Sequence, residues 1–358
     1  MAVKIGFLNE VSEHEKRVAI TPISSQRLIK TGLDIHMQSK AGKMAGFDDG
    51  LYKNIKIIKN AKELLKSVDI LIKLNPPTLD DIKNLSKKSI IISTMFAEQN
   101  KTIIDQAKKK NINCYALELI PRITRAQSMD ILSSQATCSG YSSIIKAALV
   151  SNLLFPMLTT AAGTIAPAIV VVIGAGVAGL QAIATAHRLG ARVLAYDIRP
   201  DAKEQIESLG AKMIDAGVDA KGDGGYAREL NDNEKKLQQE KLAMQLNKAD
   251  IIITTAAVPG RPAPTIINTK MVDNLKNHCV VVDLAMDSGG NCELSQPNKE
   301  ITHKNGVKII GFSNPASSVA YHASQMYAKN IEVFLTLFIK DKKLEIDAED
   351  EILKSCLL

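Results

Sequence analysis

Short runs of apolar residues alternate with helical patterns along the first 125 residues of the chain. The segments between the runs, such as Ile23–Lys30 and Thr102–Lys110, carry apolar residues at helical spacing. Strands that alternate with helices are typical of βαβ units and of a mostly parallel sheet. The predicted strands of this region are Val3–Leu8, Asp34–Gln38, Val68–Leu74, Ser89–Ser93 and Asn113–Glu118.

The same alternation returns in the second half of the chain, after a long amphipathic pattern. Residues Ala126–Val150 predict one long helix between two domains. A last helical segment, Ser317–Leu337, is expected to return to the first domain with no strand after it. Six strand-like runs lie between these helices, namely Ala168–Ile173, Arg192–Tyr196, Lys212–Ile214, Asp250–Thr255, Cys279–Leu284 and Val307–Phe312.

These patterns predict an α/β protein with two Rossmann-like domains on parallel sheets, the second of them doubly wound. We expect the first domain to comprise residues 1–135 and 320–358, and the second to comprise residues 136–319. The interval Asp215–Glu240 interrupts the alternation with the sequence GDGG and a cluster of charges. Long loops inside compact domains are usually functional or mobile, so we predict a mobile loop at about 216–240.

Composition and charge exclude several classes of protein. Apolar residues make up 46% and charged residues 23% of the chain, which is the balance of a globular protein. The net charge of +7 is spread over a surface where acidic residues are interleaved, and the longest basic run is Lys108–Lys110. Nucleic-acid-binding proteins concentrate their basic residues and add aromatic residues for stacking, so we expect no nucleic acid partner.

Cysteine and histidine give no sign of disulfides or of a metal site. The five cysteines are an odd number without a CxxC pair, which suits buried thiols in a reducing compartment. The six histidines show no metal-ligand spacing, so we assign no metal.

One uncharged stretch, Ala147–Ala186, is longer than a membrane-spanning helix requires. Prolines and glycines, among them Pro156, Gly163 and Pro167, interrupt it repeatedly. The stretch therefore predicts a helix end, a loop, a buried strand and a buried helix. The N-terminus also lacks a basic region followed by an apolar run, so we expect a soluble protein without a signal peptide.

The segment from Ala168 to Asp197 carries the main chemical signal, a GxGxxG sequence between a strand and a helix. A run of branched apolar residues precedes the glycines, as expected of a strand buried on both faces. In such motifs Gly174 allows the tight turn, Gly176 lets a pyrophosphate approach the backbone, and Gly179 lets the helix pack close to the strand. The helix N-terminus then offers N–H groups and partial positive charge to the phosphates.

Two further positions bear on which dinucleotide binds. Asp197 ends the second strand 18 residues after Gly179, where a carboxylate accepts the adenosine ribose hydroxyls and repels a 2′-phosphate. This favours NAD(H) over NADP(H), although Arg199 is a residue type that can hold a 2′-phosphate.

Small residues lie at the carboxyl end of the fourth strand, at Thr254–Ala257. They fit either a backbone that passes close to the nucleotide or a tight strand-to-loop junction.

Several longer segments resemble one enzyme family. The segment Pro121–Gln135, which contains RAQSMD, together with TAAGTIAP, GAGVAGLQAIATA, GGYARE, TTAAVPGRPAP and DLAMDSGGNCELS, resembles the NAD(H)-binding α1 subunit of proton-translocating NAD(P) transhydrogenase. RAQSMD is specific to that family, whereas RVAITP (Arg17–Pro22) is shared with alanine dehydrogenases. The resemblance covers nearly the whole chain.

The resemblance implies a reaction and partners. Hydride would pass directly between NAD(H) on this chain and NADP(H) on a β subunit, while a membrane region, including a membrane-spanning second α component, couples the exchange to proton movement. A homodimer, and a cytoplasmic location at the periphery of the inner-membrane complex, are also expected. The chain ends without membrane helices, which matches an α subunit split into separately encoded pieces.

The resemblance also implies roles for particular residues. Around the nicotinamide would lie Arg122, Gln127, Asp130 and Ser133. The adenosine and phosphates would be held by Val177, Asp197, Ile198 and Arg199, with the glycines of the motif and Thr255, Ala256 and Ala257 beside them. Gly225 and Tyr226 would belong to a mobile loop that closes over the cofactor.

The chemistry of these side chains is compatible with hydride transfer, which needs two stacked nicotinamides and no proton donor or metal. Asp130 can accept a hydrogen bond from a carboxamide, and an Arg122–Asp130 pair could orient it. The alternative for that pair is a plain salt bridge that caps the long helix. Gln127 offers a donor and an acceptor to the incoming nucleotide.

Two alternative functions remain open at this point. Alanine dehydrogenases use a lysine and a histidine near the substrate; Lys73 matches the lysine, but no histidine stands around Met95–Phe96. Deamination needs an acid/base group, so this absence counts against the alternative. The other alternative is a non-catalytic NAD(H) sensor.

Two positions depart from the family pattern. Asn9 stands where a lysine is expected and Ser318 where an arginine is usual, which puts any contact made by those residues in doubt.

Overall fold

A computed structural model describes residues 2–217, 228, 230–257 and 262–358 of the chain. The chain divides into two compact units. Unit 1 comprises Met1–Gln135 and Ala316–Leu358, and unit 2 comprises Ala136–Pro315. The return to unit 1 thus begins four residues before the expected position 320.

The N-terminal segment of unit 1 alternates strands with helices. Its strands are β1 (Lys4–Phe7), β2 (Asp34–Gln38), β3 (Lys56–Ile58), β4 (Ile70–Ile72), β5 (Ile90–Ser93) and β6 (Asn113–Ala116). Its helices are α1 (Pro22–Lys30), α2 (Ala61–Ser67), α3 (Leu79–Asn84) and α4 (Lys101–Lys109). The described strands form one parallel sheet in the order β3-β2-β1-β4-β5-β6. The strand order reverses between β1 and β4.

Helix α5 (Ile131–Val150) leads from unit 1 into unit 2. The expected start at Ala126 was wrong, because Thr124–Met129 forms a 3₁₀ helix and Asp130 follows it. The Asp130 carboxylate accepts hydrogen bonds from the Ser133 backbone N–H at 2.9 Å and from the Ser133 hydroxyl at 2.6 Å. A side chain that accepts from the third N–H of a helix is an N-cap, so Asp130 sets the first turn of α5.

Unit 2 contains the second alternating series. Its strands are β7 (Leu158–Thr160), β8 (Gly163–Ile165), β9 (Ile169–Ile173), β10 (Arg192–Tyr196), β11 (Lys212–Met213), β12 (Ile251–Thr254), β13 (Val280–Asp283), β14 (Glu300–Thr302) and β15 (Lys308–Gly311). Its helices after α5 are α6 (Val177–Arg188), α7 (Ala202–Ser208), α8 (Asp232–Leu246) and α9 (Thr269–Asp273).

The main sheet of unit 2 has the order β11-β10-β9-β12-β13-β15-β14 in the described residues. All neighbours pair in parallel except β14, which is antiparallel to β15. Successive residues of β9 face two different cores: Val170 and Val172 lie in one apolar cluster, and Val171 and Ile173 in another. This burial on both faces explains the unbroken apolar run in the sequence. The predicted fold class, α/β with two Rossmann-like parallel sheets, is confirmed.

The chain ends in unit 1 with α10 (Ala320–Phe334), β16 (Ile339–Lys340), β17 (Lys343–Leu344) and α11 (Glu351–Cys356). The expectation of no strand after the last long helix was wrong, since β16 and β17 pair as a short antiparallel hairpin. Both strands are two residues long and largely exposed, so they leave no apolar period in the sequence.

Two other segments depart from the sequence expectation. The predicted loop at about 216–240 is partly helical, because α8 begins at Asp232 behind an Asn231 cap whose side chain accepts from the Glu234 N–H. The uncharged stretch Ala147–Ala186 divides into the end of α5, the β7–β8 hairpin, β9 and most of α6. Among the described residues, none of the helices has both the length and the apolarity to cross a membrane.

Candidate dinucleotide site

The turn between β9 and α6 is built on Gly174, whose φ is +95°. This left-handed conformation strains residues that carry a Cβ. A Cβ on Gly174 would also lie 2.7 Å from the Thr255 hydroxyl oxygen. That hydroxyl donates to the Gly174 carbonyl at 3.0 Å, so the turn packs directly on the end of β12.

Gly179 brings α6 against the same turn. A Cβ at this position would collide with the Gly174 carbonyl oxygen, and its other close neighbour is the Thr255 hydroxyl at 3.1 Å. A further close approach comes from α5, where a Cβ on Gly140 would collide with the Ala178 carbonyl oxygen. Gly140 was not among the residues predicted from the sequence. The start of α6 is therefore held between the turn and α5.

The N-terminus of α6 is open for a ligand in the region of the chain that the structure describes. A Cβ on Gly176 would meet nothing within 4 Å, and Val177 is exposed. The N-cap residue of this helix is Gly176, which has no side chain to accept from the first N–H groups, whereas Thr21, Thr78 and Asn231 cap α1, α3 and α8. The first N–H groups of α6 thus offer hydrogen bonds and partial positive charge to an anion.

Asp197 lies at the carboxyl end of β10, beside the glycine turn, and its side chain is only 6% exposed. One carboxylate oxygen accepts from the Ala175 backbone N–H at 2.7 Å. The Arg199 guanidinium binds the same carboxylate through two nitrogens, at 2.9 and 3.0 Å. Ile198 packs on the adjoining core, next to Tyr196. Burial raises the pKa of the Tyr196 hydroxyl to about 12.

A buried polar network that the sequence analysis missed supports the end of β12. The Asn291 side chain accepts from the Ala256 N–H at 2.9 Å and donates to the Ala256 carbonyl at 2.7 Å. The fully buried Asp283 carboxylate accepts from the Thr254 hydroxyl at 2.9 Å and from the Asn291 N–H at 2.8 Å. Thr255 and Ala256 are thereby held at the carboxyl edge of the sheet, and Ala257 beyond them is exposed. The position of Asp283 at a strand end was the available signal.

The residues expected near the nicotinamide lie in unit 1. Asp130 and Ser133 are bonded to each other, as described for the cap of α5. Gln127 is exposed in the 3₁₀ helix, and Arg122 is exposed just before it. The Arg122–Asp130 pair stays a prediction. Gly225 and Tyr226 lie outside the described residues.

The residues that favoured an alanine dehydrogenase are engaged within unit 1. The Lys73 ammonium donates to the Asp81 carboxylate at 2.8 Å, and both side chains are almost wholly buried. The Arg17 guanidinium binds Glu15 at 2.6 and 2.8 Å. Phe96, in the region where that enzyme class has its histidine, is exposed. Neither Met95 nor Phe96 carries an acid/base group, and the N–H groups of both donate to the Glu118 carboxylate, that of Met95 at 2.9 Å.

At the departures from the family pattern, Asn9 donates its N–H to the Gln38 side chain at 2.9 Å. Ser318 is exposed in the 3₁₀ helix Pro315–Val319, and its neighbour Ser317 accepts from the Lys16 N–H at 2.8 Å. The structure gives neither position a role in the site.

Comparison with known proteins gives a consistent assignment. Residues 6–139 match the family model "Alanine dehydrogenase/PNT, N-terminal domain", and residues 143–358 match "Alanine dehydrogenase/PNT, C-terminal domain". The first component of the split NAD(P) transhydrogenase alpha subunit of Rhodospirillum rubrum is 43% identical, over 98% of this chain and 94% of that protein. The chain belongs to the NAD(P) transhydrogenase alpha-subunit family. The predicted recognition and the assignment as an oxidoreductase of this class are confirmed.

Other comparisons are consistent with this family. The crystal structure of transhydrogenase from Sinorhizobium meliloti superposes with a TM-score of 0.90 at 39% identity, over 99% of this chain and 98% of that one. Alanine dehydrogenase 1 of Staphylococcus aureus is 25% identical, over 97% of this chain and 90% of that protein. The similarity is therefore greater to the transhydrogenase alpha-subunit family than to this alanine dehydrogenase.

Proposed function

We propose that this chain binds NAD(H) in unit 2 and exchanges hydride directly with NADP(H) held on a partner subunit. The observation that carries the proposal is the uncapped α6 N-terminus behind the Gly174 turn, with the Asp197 carboxylate at the end of the neighbouring strand. In doubly wound sheets this is where the pyrophosphate and the adenosine ribose of a dinucleotide bind.

The proposed contacts follow from the chemistry of each group. The N–H groups at Gly176 and Val177 would donate to the pyrophosphate, which no Cβ at Gly176 obstructs. Asp197 and the backbone at Ile198 and Arg199 would hold the adenosine ribose. Thr255, Ala256 and Ala257 would pass beside the nucleotide, because their small side chains leave room there.

The nicotinamide end is proposed from the family resemblance. Direct hydride transfer needs two nicotinamide rings held in contact and correctly turned, without an acid, a base or a metal. Arg122, Gln127, Asp130 and Ser133 would bind and orient the carboxamide and the incoming nucleotide. The bond between Asp130 and Ser133 keeps the carboxylate in one orientation.

The name of the Rhodospirillum relative denotes one component of a divided alpha subunit, which supports a complex of several subunits. We propose an NADP(H)-binding β subunit and a membrane-spanning second α component as partners, with this chain bound at the periphery of the membrane complex. We also propose a homodimer. The β7–β8 hairpin supports it, since Met157 and Leu158 expose apolar side chains there.

The decisive experiment mixes the chain with the NADP(H)-binding partner subunit and follows reduction of an NAD⁺ analogue by NADPH. We expect exchange with the unmodified chain. Asp130→Asn should keep the α5 cap, because Asn caps as well as Asp, yet slow the exchange, since small misplacements of reacting groups cost up to roughly 10²-fold. Gln127→Ala should slow it similarly, and both variants should retain most of their NADH affinity.

Matched controls are available on α4, in the same unit. Asp105→Asn and Gln106→Ala remove the same groups from exposed positions, and we expect unchanged exchange. NADH binding without any exchange would instead favour a sensor. NADH-linked turnover of alanine or pyruvate would favour an alanine dehydrogenase, against which the buried Lys73–Asp81 pair argues.

A further inference from the structure

The carboxylate that is proposed to accept the ribose hydroxyls is already saturated by the chain itself. An ionised carboxylate has about four acceptor positions on its two oxygens. Asp197 fills them with the Ala175 N–H at 2.7 Å, the Arg199 backbone N–H at 2.9 Å, and two guanidinium nitrogens of Arg199 at 2.9 and 3.0 Å. A ribose that binds Asp197 must therefore displace some of the hydrogen bonds from the two-pronged Arg199 guanidinium.

Arg199 is well placed for such an exchange. Its side chain is 29% exposed, against 6% for Asp197, so the guanidinium forms the outer side of the pair. One of its nitrogens also lies 3.2 Å from the Ala175 carbonyl, within the glycine turn itself. The guanidinium thus reaches the position where the 2′-substituent of a ribose bound to Asp197 would lie.

The residue type has a definite preference at that position. A planar guanidinium binds a phosphate through two parallel hydrogen bonds, as it binds the carboxylate here. A phosphate on the 2′-oxygen would meet the fixed negative charge of Asp197 as well as the positive charge of Arg199. As long as the Asp197 carboxylate binds the Arg199 guanidinium, the carboxylate repels the phosphate, and the guanidinium is not available to compensate for this repulsion.

We infer that Arg199 is a suppressed 2′-phosphate ligand: Asp197 excludes NADP(H) from unit 2 by its own negative charge and by binding the guanidinium that could otherwise hold a 2′-phosphate. This inference rests on the proposed NAD(H) site and extends it to the control of nucleotide specificity. It explains how one chain can carry both the carboxylate typical of NAD(H) sites and the arginine typical of NADP(H) sites.

The test measures dissociation constants of the full chain for NADH, for NADPH and for adenosine 2′,5′-bisphosphate, a probe of the adenosine end alone. In Asp197→Asn the Arg199 guanidinium no longer faces the negative charge of Asp197, and we expect NADPH and the bisphosphate to bind at least about tenfold more tightly, while NADH binds more weakly. The gain should decline as salt is added, because it depends on charge. In Asp197→Asn with Arg199→Gln the gain should vanish.

Arg199→Gln alone provides a test that does not disturb the buried carboxylate. Without the guanidinium, Asp197 keeps its full charge towards a 2′-phosphate, so NADPH should bind several-fold more weakly than to the unmodified chain, and discrimination should rise. Arg192→Gln is the matched control, since Arg192 is exposed at the opposite end of the same strand, and it should leave the NADH to NADPH ratio unchanged.

The outcomes separate this inference from the proposed function. Folded Asp197→Asn protein with no gain for NADPH, or Arg199→Gln protein that binds NADPH as well as before or better, would overturn the inference while NADH binding and hydride exchange stand. If Asp197→Asn does not fold, the Arg199→Gln result decides. Loss of exchange with intact NADH binding would overturn the proposed function alone. An unmodified chain that binds no NADH would overturn both.

Discussion

At the scale of single residues, Gly179 determines how closely α6 approaches the turn before it. The site for its missing Cβ is occupied by the Gly174 carbonyl oxygen and the Thr255 hydroxyl. Because both neighbours belong to the glycine turn and the end of β12, a larger residue must move the helix away from them. The N–H groups of Gly176 and Val177 would move with it.

We therefore expect Gly179→Ala to lower both stability and NADH affinity. In a helix interior, alanine is more favourable than glycine by roughly 1 kcal/mol. A net loss of stability would therefore report the collision of the new Cβ with the turn. Overpacking against backbone should outweigh that gain and destabilise the protein by about 1 kcal/mol or more. Urea denaturation and NADH titration provide the measurements.

Gly50→Ala is the control for this substitution, because a Cβ there meets nothing within 4 Å. It should leave the NADH affinity unchanged and should not lower the free energy of unfolding. A Gly179→Ala protein with the stability and affinity of the unmodified chain would contradict the close packing described for the turn.

At the scale of secondary-structure elements, buried carboxylates hold the sheet of unit 2 at both edges. Asp283 supports the carboxyl edge, where the nucleotide is proposed to bind. Asp250 supports the amino edge, where it accepts from the Ile169 N–H at 2.7 Å, from Lys276 at 2.7 Å and from His278 at 3.0 Å. These contacts join the starts of β9, β12 and β13, and β9 is the strand that leads into the glycine turn.

The contacts of Asp250 predict an acid-dependent stability. Burial raises the pKa of this carboxyl, but the bonds from Lys276, Ile169 and His278 outweigh burial and hold the pKa below its usual value of 3.8. A group with a lowered pKa in the folded state stabilises the fold above its unfolded pKa, and this contribution is lost as pH falls through the folded pKa.

We expect Asp250→Asn to reduce the free energy of unfolding at pH 7 by roughly 1–3 kcal/mol, since it weakens charged hydrogen bonds at a largely buried site. The difference from the unmodified chain should shrink as the pH falls below about 4. Denaturation curves at neutral and acid pH measure it, and a difference that does not vary with pH would contradict the assignment. Asp273→Asn, which removes a more exposed partner of His303 and Lys304, should change stability less.

At the scale of the full chain, the two units have separate cores, and the groups proposed to bind the phosphates and the ribose lie in unit 2. Tyr327 and Phe334 from the returning helix α10 complete the core of unit 1, while Val172 and Val282 lie in a core of unit 2. The glycine turn, Asp197 and the Asn291 network all belong to unit 2. Binding at these groups should therefore stabilise unit 2 most directly.

We expect NADH at about one hundred times its dissociation constant to stabilise the folded state by about 2.7 kcal/mol. Hydrogen exchange with mass spectrometry should then show stronger slowing in peptides from β9 and α6 than in peptides from α1. The α1 peptides serve as the internal reference, because that helix lies in unit 1. Equal slowing in both sets, or slowing confined to unit 1, would argue against the proposed site.

The order of residues along the chain was enough to predict the fold class, the strands buried on both faces and the glycine turn. Each of these depends on residues that are neighbours in the chain: the unbroken run Ile169–Ile173 is typical of a doubly covered strand, and Gly174, Gly176 and Gly179 follow it directly. Short exposed strands such as β16 and β17 left no such pattern and were missed.

The support of the site and the pairing of its charges became visible only in the folded chain. Asn291 meets Ala256 from 35 residues away, and Gly140 meets Ala178 from another helix, so no local pattern could reveal either contact. The sequence placed Asp197 and Arg199 two residues apart with opposite implications for the nucleotide. Their ion pair could be seen only in the fold, because its geometry depends on the turn of the chain after β10 and on the Ala175 backbone beside it.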